Sequence, residues 1–537
     1  MKLLLAGGRI YDPQNGIDGV AGDVAIDGGK IVAPGRDFVP DRRLDVTGCV
    51  VLPGGVDLHT HIAGPGVNRA RRLVASDPNP IVPEAPATGL RYAALGYTTA
   101  VEAAVTPSGA RQCHFELEAT PNIDRGFLLL LANNTFLLEL LARGERAAAR
   151  DTVASLLQKT GAFGVKAVNP GGVALWKSQA GRVEDLDQKL GSTSVTPRAI
   201  LELLVECAEE NRLPHPVHIH THRLGEPNNI ATTIATSNAL AGRRHHLTHV
   251  QFHAYGSDAS GAHRSGAALL MDHFHTHPEL TMDVGQVMFE EALTLSADLA
   301  LEHLLWRITG RRYASIDVEL ESGCGMVPFR YMPRSRLHAL QWAVGMEIFL
   351  LCKDPWRLAL TTDHPNGGSF LVYPKIIHLL MSRDARAEAL RSADGQAIRA
   401  TCLPDLSREY TLQEIAILTR AAPAKILGLA HKGHLGVGAD ADVTVHDDLA
   451  DRERMFRHPR HVIKGGALVV EGHELRESVD GQTFRARVAP SAERERPLRD
   501  WFEAHGSYSL SQMGPAETRL EAMLPVAASG PARGARK

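Results

Sequence analysis

From residue 51 to about residue 430 the chain alternates short apolar runs with longer segments of helical periodicity. This alternation limits the fold more than any other feature. The strand-like runs are GVDLHTH, TTAVEAA, GFLLLLA, GVKAVNP, PVHIHTH, HLTHVQF and RLALTTDHP. Helix-like segments lie between them, including residues 87–95, RAAARDTVASLLQKTG, TPRAILELLVECAEENR and LTLSADLALEHLLWRITG. Repeated strand-then-helix units bury their strands in a parallel sheet. Over this length they predict an α/β fold, a (β/α)8 barrel of the TIM type. The pattern is irregular at 281–332, which predicts an insertion or a β-arm.

The flanks read differently. Residues 1–50 hold short strands and tight turns, with Asp27-Gly28-Gly29-Lys30 as a hairpin turn because its glycines supply positive φ. Residues 431–480 return to that style. The expected organisation is one small β-sandwich built from 1–50 and 431–480 around a barrel at 51–430. A C-terminal extension at 481–537 follows, with one short helix over RPLRDWFEAHG and a flexible tail, ASGPARGARK.

Composition narrows the function. Hydrophobic residues make up 44% of the 537 and charged residues 22%, which suffices for a full core. Lys+Arg 58 against Asp+Glu 61 argues against a nucleic-acid binder. Six cysteines without a CxxC pair exclude a disulfide scaffold, a cysteine zinc site and an ordinary iron–sulfur ligand set. The apolar run after Lys2 is too short for a signal peptide, and no stretch suits a membrane span. A cytoplasmic protein with no membrane segment is expected. The excess is in histidine, 26 residues, and it is clustered.

In Val56-Asp57-Leu58-His59-Thr60-His61 the two histidines lie two apart, so they share one strand face and can bind one metal. His218 and His220 repeat the spacing in PVHIHTH. His249 lies in HLTHVQF and Asp363 in LALTTDHP, a run apolar up to its polar end. Each alone is weak, since a strand-end His is often structural and an Asp before a turn is often a cap. Together they fall on successive strand candidates, at the rim where barrels keep their sites. Two metals at such a rim need a bridging anion. Lys166, in GAFGVKAVNPGG, supplies one if its amine adds CO₂ to become a carbamate. Otherwise it is a surface lysine.

These residues resemble the amidohydrolase superfamily: HxH after strand one, a carboxylated lysine after strand four, histidines after strands five and six, and an aspartate after strand eight. GVKAVNPGG, PVHIHTHRLGEPNN, HLTHVQFHAYG, TMDVGQVMF and TTDHPNGGSF more narrowly resemble the hydrolase subunit of formylmethanofuran dehydrogenase and of bacterial formyltransferase/hydrolase complexes. The resemblance implies a dinuclear zinc hydrolase. It would interconvert formylmethanofuran with formate and methanofuran in one-carbon metabolism, with other subunits of the complex as partners. His59, His61, Lys166 and Asp363 would hold one zinc. Lys166, His249 and either His218 or His220 would hold the other, with His218 preferred and His220 either supporting a ligand from behind or touching the substrate. Asn169, Gly171 and Gly172 would shape the substrate pocket. Asp363 would move a proton from the attacking water to the leaving amine.

Two other functions fit the same donors. One is a cyclic amidase of the hydantoinase or dihydroorotase kind, and the other a non-catalytic scaffold subunit. A further cluster, Asp272-His273-Phe274-His275-Thr276-His277, reads as a loop covering the site or, less well, as a second metal site. No GxGxxG opens a helix, so redox chemistry would belong to other chains.

Overall fold

A computed structural model describes residues 2–35, 38–179, 181–316, 324–506 and 508–528. Eight parallel strands form the barrel: β1 Gly55–Thr60, β2 Tyr97–Val105, β3 Asp124–Leu130, β4 Gly164–Val168, β5 Val217–His220, β6 His245–Leu247, β7 Leu280–Asp283 and β8 Leu358–Ala359. They pair in sequence order. The ring closes between its first and last strands through a Thr60–His364 bridge, where His61 N–H donates to His364 O at 2.8 Å. Strands buried on both faces need continuous apolar runs, and β3 (DRGFLLL) and β4 (GVKAV) are buried at every position.

The strand absent from the sequence reading is β7. It has four residues, LTMD, and all but Leu280 fall inside the stretch expected to be irregular. Four residues with two polar side chains carry too little periodicity to announce a strand. The rest of that stretch does contain a β-arm. Glu291–Ser296, Ala314–Ile316 and Cys324–Arg330 form an antiparallel sheet, with a helix at Leu299–Thr309. The segment LTLSADLALEHLLWRITG is therefore part strand and part helix. The break falls at Asp298, whose carboxylate caps the helix by accepting from Leu301 N–H.

The chain ends share one nine-stranded sheet. Cys49–Pro53 pairs antiparallel with Val443–Asp447, which joins the two halves. Ile17–Asp27 turns into Lys30–Val32 with Asp27 opposite Lys30. Gly28 and Gly29 both take left-handed φ, +55° and +77°, as a two-residue hairpin requires. The extension does not dangle. Phe484–Ala486 pairs with Leu524–Val526, Phe484 packs near Phe163 beneath the barrel, and the helix Glu495–His505 buries Leu498 and Phe502. Of the tail ASGPARGARK, all but the first residue lie outside the described residues.

A buried ionic cluster joins the terminal sheet to the barrel floor. Asp442 accepts from Lys432 Nζ at 2.7 Å, from Lys464 Nζ at 3.2 Å and from Gly465 N–H at 2.8 Å. Asp124, which opens β3, accepts from Lys464 Nζ at 2.7 Å. Burial opposes ionisation of Asp442, but the two ammonium groups outweigh it and hold the carboxyl well below its usual range. Removing one partner of a buried pair leaves charge uncompensated and costs about 3–5 kcal/mol. Asp442→Asn should therefore lower unfolding stability by about that amount in a urea titration. An unchanged midpoint would show that the cluster holds nothing together.

Candidate metal centre

Six of the candidate residues meet at the C-terminal mouth of the barrel. His59, His61, Lys166, His220, His249 and Asp363 all line one cavity of about 430 Å³. His59 and His61 sit at the end of β1 and just beyond it. Lys166 reaches up from the middle of β4 to within 3.4 Å of His59 Nε2. His249 and Asp363 follow β6 and β8 in left-handed backbone, φ +34° and +50°, which is costly for residues with side chains. Gly285 makes the His249 turn possible, because a Cβ there would lie 2.4 Å from His249 Cβ.

Each HxH imidazole is clamped from behind by a carboxylate. His59 Nδ1–H donates to Asp283 at 3.1 and 3.2 Å, and His61 Nδ1–H donates to Glu102 Oε1 at 3.0 Å. Both carboxylates are fully buried. With Nδ1 occupied, Nε2 is the nitrogen of each ring turned to the cavity, and it faces Asp363 Oδ1 at 3.0 Å from His59 and 3.2 Å from His61. Carboxylate behind, imidazole in front, is the arrangement that orients a metal-binding histidine. Neither Asp283 nor Glu102 is among the candidates drawn from the sequence. The available signal is a lone acid within a buried apolar strand, where an unpaired charge is expensive.

The sequence leaves the choice between His218 and His220 open, with His218 preferred. Across β4 and β5, His218 is level with Lys166 and His220 with Val168, one step nearer the mouth. His220 lines the cavity. His218 lies beneath it, with Nδ1 3.0 Å from His215 Nε2 and Nε2 3.3 Å from His59 Nδ1. Asn169, expected to shape the substrate pocket, sits just off this cavity. It lines a neighbouring cavity of about 290 Å³ with Gly172, and its N–H donates to His220 O at 3.0 Å. Gly171 packs against Leu190. The 272–277 cluster is no loop over the site. It falls on the helix Ala267–Thr276 and its end, where His273 and His277, four apart on one face, stack at 3.8 Å. It supplies none of the cavity lining.

The donor set suits a divalent metal. Ligand atoms of His59, His61 and Asp363 lie within 4.8 Å of one another, as do those of His220, His249 and His253. Asp363 Oδ1, His220 Nε2 and His249 Nδ1 are buried with no hydrogen-bond partner. Buried polar atoms without partners are rare, and several converging on one space call for a ligand. Imidazole and carboxylate donors match zinc and similar ions. The charges agree. Burial works against Asp363, yet His59 and His249 hold its carboxyl well below the usual range. Burial pushes the Lys166 amine down to about 8, partly offset by Asp363. Burial also opposes charge on His61, but Asp363 and Glu102 outweigh it and raise the imidazole to about 9.

Apolar walls surround this polar floor. Leu295, Leu301 and Phe329 come from the inserted arm and its helix, and Tyr331 from just beyond it. Glu302 lies among them, and burial lifts its carboxyl well above the usual value. The cavity therefore sets metal-type donors at the floor of an apolar-walled chamber.

Comparison with known proteins agrees with this picture. The amidohydrolase family model matches residues 43–470. The chain is 40% identical to one subunit of the formyltransferase/hydrolase complex Fhc of Methylorubrum extorquens, over 94% of each chain. It is 38% identical to the protein FwdA of Methanocaldococcus jannaschii, over 91% of each. The crystal structure of the Methylorubrum extorquens formyltransferase/hydrolase complex with methylofuran contains a chain that superposes with a TM-score of 0.94. That match has 38% identity and covers 99% of this chain and all of that one. Among the described residues no helix is long and apolar enough to cross a membrane.

A metal-bound imidazole carries no added proton, whereas His61 in the metal-free chain holds one up to about pH 9. Metal loading at pH 7 should therefore release a proton from His61. Affinity should weaken about tenfold per pH unit as pH falls below 9. Calorimetry in buffers of different ionisation enthalpy measures this. Metal uptake without proton release would show that His61 is already neutral in the metal-free chain or does not bind the ion.

Proposed function

Because the chain belongs to the amidohydrolase family, we propose that it is the metal-dependent hydrolytic component of a formyltransferase/hydrolase complex, acting on the N-formyl amide of a methanofuran-type carrier. The carrying observation is the near full-length match to such a component, with the family's donor types converging on one cavity. The partners are the complex's other subunits and the carrier. The same site would run the condensation of formate with the amine.

His59, His61 and Asp363 would hold one zinc, and His220 and His249 the other, with His220 taking the place expected for His218. Lys166 would join the two sites. Its lowered amine pKa leaves more of the group neutral, the form that adds CO₂, and the product is an anion with two oxygens for two cations. Bound zinc would supply Lewis acidity, making water nucleophilic at neutral pH and polarising the formyl oxygen. Asp363 then acts as general base and acid. It takes the proton of the attacking water and returns it to the leaving nitrogen. Its ionised carboxylate and its position over both HxH rings suit that task. Asp283 and Glu102 fix the imidazoles and do not meet substrate. The apolar walls exclude bulk water and pack the carrier.

A hydantoinase or dihydroorotase would use the same donors. Colinearity with a formyltransferase/hydrolase component over 94% of the chain favours the formyl amide. The intact donor set argues against a scaffold role.

Asp363→Asn should lower formate release from formylmethanofuran by ~10²–10⁴-fold, the usual contribution of a positioned acid–base group. His61→Ala should lose both metal and activity. The assay is formate release by the assembled complex, with dihydroorotate and hydantoin as rival substrates. Turnover of either rival with no formate from the formyl carrier would overturn the proposal.

A further inference from the structure

His253 belongs to none of the roles above, yet it is built like a ligand. It is 1% exposed and ends the short turn Val250–His253 that starts at His249. The turn stacks the His253 ring on His249, with centroids 5.1 Å apart and planes 26° from parallel. His220, at the end of β5, meets both edge-on at 4.6 and 5.0 Å. Three imidazoles from two adjacent strand ends thus face one point.

The ring of His253 is held from behind. Its Nδ1 is 2.9 Å from Thr221 Oγ1. Thr233 Oγ1 lies 3.3 Å from that hydroxyl and bonds His253 O at 2.9 Å. With Nδ1–H donating to Thr221, Nε2 is the bare nitrogen, as metal ligation needs. It has no hydrogen-bond partner, and neither does His220 Nε2 or His249 Nδ1. The ligand atoms of the three lie within 4.8 Å of one another. Leaving a buried polar atom unsatisfied is unfavourable, and this one spot holds three. A single divalent ion between them would satisfy all three, at the ~2.0–2.1 Å of a zinc–imidazole bond.

We propose that His253 is a third imidazole donor to the second metal ion, so that His220, His249 and His253 hold it as a three-histidine site. This rests on the dinuclear reading above and goes beyond it. That reading needs only two histidines and the Lys166 carbamate on the second ion. With three, the ion has a complete set of protein donors before Lys166 is modified.

The test uses the full chain loaded with zinc. An anomalous map at the zinc edge should show two ions, one bonded to His253 Nε2 at ~2.0–2.1 Å. His253→Gln keeps the size and the polar tip but removes the ring. Titrated with chelator, it should lose one of its two zincs at chelator concentrations at least tenfold lower than the parent, while the other is kept. Two ions with His253 Nε2 beyond bonding distance, or His253→Gln retaining both zincs like the parent, would overturn this inference alone. A parent chain that binds fewer than two zincs would overturn it together with the dinuclear reading. The map on the parent chain decides the matter even if the variant does not fold.

Discussion

The carboxylate of Asp283 organises the barrel mouth. It accepts from His59 Nδ1 on β1, from His246 Nε2 on β6 at 3.0 Å, from His249 N–H at 3.1 Å and from Thr361 Oγ1 beyond β8 at 2.7 Å. One buried anion thus ties four chain segments together and sets the tautomer of His59. Hydrogen bonds to a charged group are each worth about 1.5–3 kcal/mol. Together they explain how a carboxylate survives at full burial. They also help hold His249 in a left-handed backbone conformation that few non-glycine residues adopt. Without this anion, His59 would lose its orientation and His249 a backbone anchor, and both face the cavity.

Around that anchor the barrel is polar in depth, which is unusual for an interior normally packed with branched aliphatic residues. His215, His218 and His246 form a layer under the cavity, with ring centroids 4.6–5.2 Å apart. Above it stand the bare ring nitrogens, and above those the apolar walls carried by the inserted arm. The layering assigns each level one task. The histidine–aspartate layer fixes geometry, the cavity floor presents donors, and the walls supply apolar surface.

Much of this is legible in the sequence. Strands buried on both faces leave long apolar runs, so β1 to β6 and β8 announce themselves, and the HxH spacing follows from the strand period of two. The terminal sheet is visible in Asp27-Gly28-Gly29-Lys30 and its C-terminal counterpart. Three things are not visible. β7 is four residues long with two polar positions, so neither it nor Asp283 stands out except within TMDVGQVMF. That His220 and not His218 lines the cavity turns on height along the barrel axis, which a two-residue repeat does not encode. The His273–His277 repeat reads as a loop over the site, but it falls on a helix and its end, where only the four-residue spacing has meaning.

The central claim is that one metal-loaded cavity cuts a formyl amide. The direct measurement is formate release from formylmethanofuran by one preparation of the complex, assayed as purified, after chelation and after zinc is restored. Activity should vanish with the metal and return with it, in proportion to zinc bound per chain. Formate release that persists undiminished in the chelated, zinc-free complex would contradict the account.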